Sequence, residues 1–133
     1  MHPRYLPFLV AATLAGTATL PAAGEPAGRL TYEQHCAACH GAQGDGNGPA
    51  SVWLFPKPRN FSAGLFKIKS TPGQSLPTDE DLFRSLTRGL PGSSMPSFSY
   101  LTEAERRDAV QYVKFLTART EADGKRVNLP LAY

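Results

Sequence analysis

Both cysteines of this 133-residue sequence and two of its three histidines lie in one stretch, His35-Cys36-Ala37-Ala38-Cys39-His40-Gly41. Two thiols three residues apart near a helix end can reach the two vinyl groups of a haem and form thioether bonds. A histidine directly after the second thiol lies on the porphyrin side, where an imidazole nitrogen can meet the iron as proximal ligand. Cys-x-x-Cys-His is therefore the spacing of c-type haem attachment. Three other uses of the cysteines compete with it. A disulfide is possible in an exported chain, but closing so short a loop removes little unfolded-state entropy. A thioredoxin-like redox site wants a βαβ setting, and no strand pattern precedes the motif. Zinc needs more ligands than Cys36, Cys39, His35 and His40 readily offer together, and beyond residue 24 the sequence holds no other Cys or His.

A second iron ligand has one candidate. Beyond residue 24 there is a single methionine, Met95, in Gly89-Leu90-Pro91-Gly92-Ser93-Ser94-Met95-Pro96. Methionines ordinarily pack inside helical or strand cores, whereas this one is predicted to lie in a loop flanked by prolines and glycines. Pro91 and Pro96 stiffen that loop, so it can hold a thioether sulfur against the distal face of an iron. The intervening chain is long enough to pass around a haem edge.

With both parts present, the sequence resembles the class I, mitochondrial-type cytochrome c family from Gly28 to Leu116, in the manner of a bacterial exported subgroup. The pattern Gly-x-x-x-Tyr-x-x-x-Cys-x-x-Cys-His-Gly stands at Gly28, Tyr32, Cys36, Cys39, His40 and Gly41. A glycine-rich stretch follows, Gly44 to Pro49, and Gly-x-Pro-Gly-x-x-Met-Pro recurs as Gly89 to Pro96. The resemblance implies an all-α fold of about three main helices, with long loops around one covalently bound haem c. It also implies that Pro49 offers its carbonyl to the second N–H of His40, and that Gly28 and Tyr112 form the glycine–aromatic pair where the first and last helices cross.

These elements must position the ligands. The first helix is predicted from Pro26, a good first-turn residue, to about Cys39, with a competing start at the Thr31-x-x-Gln34 capping box. The middle helix begins at the N-cap Thr78, carries Asp79, Glu80 and Asp81 at its positive end, and stops at Gly89. The last runs from Thr102, with Glu105 completing a capping box, to about Arg119, and buries Ala109, Val110, Tyr112, Val113 and Leu116. Between His40 and Thr78 the chain reads as irregular. Its apolar residues Trp53, Leu54, Phe55, Phe61, Leu65, Phe66 and Ile68 are expected against a haem face or in an ordinary core. Trp53 and Arg59 are candidates for haem propionates. Asn60-Phe61-Ser62 matches a glycosylation sequon, which reads as accidental in a bacterial-type protein.

Composition bounds the rest. Twelve glycines and twelve prolines make the chain loop-rich, and 41% hydrophobic residues leave a modest side-chain core. Residues 1–24 read as a cleaved secretory signal: Arg4, an uncharged and mostly apolar Leu6 to Leu20, then small residues at Pro21 to Gly24. The apolar run is shorter than the roughly 20 residues of a membrane helix, and retention as an anchor is the alternative. A single domain at 25–120 and a tail at 121–133 follow. Without Arg4 the formal charge falls from +3 to +2, too weak to argue for nucleic acid. The acid-free cluster Lys57, Arg59, Lys67 and Lys69 can steer an acidic partner, or simply face solvent.

An iron held on both axial sides has no vacancy for substrate and still exchanges one electron. The expectation is a periplasmic or otherwise exported single-electron carrier with a positive midpoint potential. It would serve redox protein partners, with no stable membrane insertion unless the signal is retained. The alternatives are a haem subunit of a larger oxidoreductase, a peroxidase-like protein whose Met95 dissociates, and a non-haem disulfide or interaction protein.

Overall fold

The computed structural model describes residues 26–120 and 126–127. The predicted signal segment 1–24, and the tail 121–133 apart from residues 126–127, lie outside the described residues. The architecture is α-helical: α1 (Arg29–His35), α2 (Ala37–His40), a 3-10 turn at Ser51–Trp53, α3 (Asp79–Arg88) and α4 (Glu103–Thr117). A two-residue antiparallel ladder follows, β1 (Arg119–Thr120) with β2 (Arg126–Val127), pairing Arg119 with Val127 and Thr120 with Arg126. The expected three main helices are therefore present, the first of them divided at Cys36.

The start of α1 differs from the expectation. The helix begins at Arg29, not near Pro26, because the first intrahelical bond runs from the Tyr32 N–H to the Gly28 carbonyl at 2.9 Å. Pro26 is compatible with a first turn, since the N–H it lacks would be unpaired there in any case, but it lies before the first intrahelical bond. Thr31 lies inside α1, so its capping-box pattern with Gln34 is not used.

Both later helices start on reciprocal capping boxes. The Thr102 hydroxyl accepts from the Glu105 N–H at 3.3 Å while the Glu105 carboxylate accepts from the Thr102 N–H at 2.8 Å. At α3 the partner of Thr78 is Asp81, whose carboxylate accepts from the Thr78 N–H at 3.1 Å and from both the N–H and hydroxyl of Ser70 at 2.9 Å. Asp81 is only 7% exposed. Burial alone would raise its carboxyl, but the Ser70 and Thr78 hydrogen bonds outweigh that and hold it down at about 2. The acidic run thus does more than complement the helix dipole, since Asp81 ties the 70s loop to α3.

The first and last helices cross at backbone contact, with Gly28 at the crossing. A Cβ on Gly28 would lie 1.9 Å from the Asp108 carbonyl oxygen and 2.7 Å from the Ala109 nitrogen. Gly28 therefore meets the α4 backbone one turn before Tyr112, and the Tyr112 ring packs on Tyr32, 5.1 Å between centroids. Glycine is needed because only a residue without a side chain allows two helix backbones so close. Tyr32, Cys36, Phe61, Tyr112 and Leu116 form one buried cluster, and Leu86, Phe98, Leu101 and Ala109 form a second. Helices α3 and α4 are joined at their surface by the Lys114 ammonium on Asp79 at 2.6 Å and by Arg107 over the Phe83 ring at 4.2 Å.

The apolar residues of the long connection divide. Phe61 enters the first cluster and Phe66 packs against it, whereas Leu65 and Ile68 are exposed, and Trp53 and Phe55 are 86% and 87% exposed.

Candidate haem-binding site

Cys36 interrupts the first helix with φ −121° and ψ −36°. Its N–H still reaches the Tyr32 carbonyl at 2.8 Å, and its own carbonyl restarts the helix by accepting from Cys39 at 3.1 Å and His40 at 2.9 Å. The offset places Cys36 in the buried cluster while Cys39 and His40 are half-buried on the next turn. Both cysteines are free thiols. Burial, followed by the neighbouring Cys39, pushes the Cys36 thiol up to about 11.

Gly41 ends the turn at φ +78°, a conformation that favours glycine, and a Cβ there would meet the Asp45 carboxylate. The Tyr32 hydroxyl, at a residue with 0% exposure, donates to the Gly41 carbonyl at 2.7 Å. Burial raises that phenol well above its ordinary value. Tyr32 thus stands under the motif as a buried post, holding the residue that follows His40.

The second nitrogen of His40 does not go to Pro49. Its Nδ1 lies 3.0 Å from the Arg59 carbonyl. The reason lies in how the loop returns. Gly48 and Ala50, on either side of Pro49, are spent on α2, with N–H groups on the Cys39 carbonyl at 3.2 Å and the Ala38 carbonyl at 2.9 Å. The Gly46 N–H bonds the His40 carbonyl at 2.8 Å and the Phe61 N–H bonds Gly44 at 2.6 Å, which carries the 58–61 segment over the imidazole. A Cβ on Gly46 would come within 2.9 Å of the Pro58 carbonyl, so the crossing depends on that glycine.

A carbonyl only accepts, so His40 carries its proton on Nδ1 and keeps the Nε2 lone pair for a metal. Burial lowers its pKa, opposed in part by the Arg59 hydrogen bond, and the neutral form is the ligating one. The Phe61 ring stacks on the imidazole at 4.5 Å with 17° between planes. Neither the Arg59 carbonyl nor Phe61 carries a local sequence signal for these roles. Tyr32 does, at the helical spacing of four before Cys36 and eight before His40.

Met95 stands on a separate loop folded back on the end of α3. The Leu90 N–H bonds the Met95 carbonyl at 3.1 Å, the Met95 N–H bonds the Ser93 hydroxyl at 3.2 Å, and the Phe98 N–H bonds the Leu86 carbonyl at 3.0 Å. Gly89, at φ +67°, lies against the backbone of Met95, Pro96 and Ser97. The side chain stands on the predicted loop, is half-buried and packs against the second cluster. The structure brings Cys36, Cys39 and His40 together on one turn and places Met95 in the other cluster.

The donor set fits a c-type haem: two free thiols at the required spacing, and an imidazole with Nδ1 engaged and Nε2 open. Among the described residues no three His, Cys, Asp or Glu side chains converge in a way that could hold a metal ion. No helix among them is long and apolar enough to cross a membrane.

Comparison with known proteins bears on the same turn. Residues 23–113 match the family described as Cytochrome C oxidase, cbb3-type, subunit III. The protein belongs to that family. Its fold is that of a class I-type cytochrome c domain, a type of domain that transfers electrons. Among solved structures, the chain is similar to one from the reducing HAO-like protein complex of Kuenenia stuttgartiensis, with 40% identity and a TM-score of 0.66. The match covers 80% of this chain and 47% of that one, so this cytochrome spans about half the length of the relative. No curated protein matches it.

Proposed function

We propose that Cys36 and Cys39 attach one haem c per chain, with His40 as proximal and Met95 as distal ligand, in an exported, periplasmic carrier of single electrons. The observation that carries this reading is the His40 turn: two thiols three residues apart, followed by an imidazole whose Nδ1–H is held by the Arg59 carbonyl. A haem iron bound there supplies reversible one-electron chemistry.

The chain's own part is to bind, orient and shield. The Arg59 carbonyl fixes the tautomer of His40 and raises the basicity of Nε2. The closed loop from Gly89 to Phe98 presents Met95 on a backbone held at both ends by hydrogen bonds to its own residues and to α3. The Tyr32, Phe61 and Leu116 cluster packs apolar side chains next to Cys36, which disfavours the more highly charged ferric state and favours a positive potential. Lys57 and Lys69 hold backbone carbonyls of their own loops, Ser51 at 2.8 Å and Thr71 at 2.6 Å, so their charges are fixed in place where an acidic redox partner can meet them.

Pyridine haemochrome analysis of the full chain, with reduced-minus-oxidised spectra of wild type and Met95→Ala, tests the reading. Covalent haem in both, with carbon monoxide binding gained only by Met95→Ala, is the expected result. Absence of haem would overturn the cofactor assignment, and an unchanged Met95→Ala spectrum would overturn the distal ligand.

A second reading is favoured by the relative's place in a protein complex and by the chain's coverage of only 47% of it. In that reading the cytochrome domain is the haem-bearing part of a larger oxidoreductase assembly. Purification of the protein from its native source under mild conditions separates the two, since a carrier elutes alone and a subunit elutes with stoichiometric partner chains.

A further inference from the structure

Arg59 and Phe61 lie two residues apart on one loop segment, and both touch the same imidazole. The Arg59 carbonyl takes the His40 Nδ1–H at 3.0 Å, and the Phe61 ring covers the imidazole face at 4.5 Å, inclined by 17°. A hydrogen bond to a carbonyl oxygen fixes one point of a ring and leaves it free to swing about the N–H···O line, because the angular preference at such an oxygen is broad. A flat neighbour in parallel contact removes that freedom. The two contacts are complementary, one in the imidazole plane and one across it.

We propose that Phe61 is a positioning residue for the ligand imidazole, setting with the Arg59 carbonyl the plane of the His40 ring and hence the direction of Nε2. The inference rests on the haem reading given above. Phe61 can act in this way because it is itself held. Its N–H is bonded to the Gly44 carbonyl at 2.6 Å, and a Cβ on Gly44 would lie 3.2 Å from its ring. Tyr32 meets it edge-on at 6.4 Å, Phe66 lies parallel to it at 6.0 Å, and it is only 8% exposed. A side chain buried for its area alone needs no particular angle to its neighbour, and a leucine would serve. Parallel contact with the ligand ring requires a planar group.

The test uses the full chain as Phe61→Leu and Phe61→Tyr, each measured for haem content, thermal melting and the frozen-solution EPR spectrum of the ferric form. The g-values report the orientation and field of the axial ligands, which mere loss of core packing does not move. The expected result is a Phe61→Leu protein that retains haem but has shifted or broadened g-values, with the wild-type spectrum restored in Phe61→Tyr. Should Phe61→Leu fail to fold, nuclear Overhauser contacts between the Phe61 and His40 ring protons in wild type decide instead: their presence supports the stack and their absence overturns it. Haem-loaded Phe61→Leu with wild-type g-values would overturn this inference alone. Wild-type protein without haem would overturn the cofactor reading and this inference with it.

Discussion

Gly28 lies so close to Asp108 that a Cβ on the glycine would fall 1.9 Å from the aspartate's carbonyl oxygen. Backbone is packed on backbone there, so neither side can yield by rotating a side chain. Gly28→Ala is expected to destabilise the fold by about 1–3 kcal/mol, and Gly28→Leu by more, through overpacking of the α1–α4 crossing. Urea unfolding monitored by circular dichroism checks it, and a wild-type midpoint for both variants would show that the crossing can open without cost.

Asp81 makes stability depend on acid. Its carboxyl is held at about 2 against an ordinary 3.8, so the folded state prefers the charged form. The contribution is complete above the unfolded-state value near 4 and is lost as pH falls through about 2. Asp81→Asn, which keeps the shape but removes the charge accepting the Ser70 and Thr78 bonds, is expected to cost about 1–3 kcal/mol at pH 7. The gap between variant and wild type should narrow on acidification toward pH 2. A gap of constant size from neutral to acid pH would count against the carboxylate's role.

Two glycines with the same backbone sign separate strain from collision. Gly46 at φ +80° faces Pro58 and Asn60 at close range, whereas Gly73 at φ +54° has nothing within 4 Å. Alanine at either position meets the left-handed penalty of roughly 1–2 kcal/mol. Gly46→Ala alone must also displace the segment that brings the Arg59 carbonyl to His40. Its loss of stability should clearly exceed that of Gly73→Ala in parallel thermal melts. Equal losses would mean that the 58–60 segment moves freely.

Charge is unevenly divided along the chain. Between Gly46 and Thr78 there is no Asp or Glu, while Lys57, Arg59, Lys67 and Lys69 all fall there. With ferricyanide as an anionic oxidant, the Lys57→Glu, Lys67→Glu double variant should react several-fold more slowly than wild type at low ionic strength. The difference should close as salt rises. Stopped-flow rates across a salt series measure it, and parallel salt profiles would remove this segment from the steering surface.

The site was legible in the sequence where chemistry depends on local spacing. Cys36, Cys39 and His40 declare themselves because a single helical turn brings them together whatever surrounds it. Thr102 was legible for the same reason, since its partner Glu105 lies three residues on, and Thr78 was legible as a cap by residue type, while the reciprocal bond of Asp81 came from the structure. The broken helix at Cys36 was not, because propensity there favours a continuous helix. The Pro49 assignment failed at a distance: which carbonyl meets His40 depends on where the glycine loop returns, and Gly48 and Ala50 were already committed to α2.

By itself the sequence determined the middle and last helices, their N-caps, the attachment turn and the candidate ligands, all set by contacts within a few residues or by the chemistry of individual side chains. Only the tertiary structure decided that Arg59 and not Pro49 orients His40, that Phe61 lies on its face, and that Gly28 meets the backbone of Asp108. Those are choices among partners 19 to 80 residues apart. They follow from how loops close and which backbone groups remain unpaired, and no local pattern records that competition.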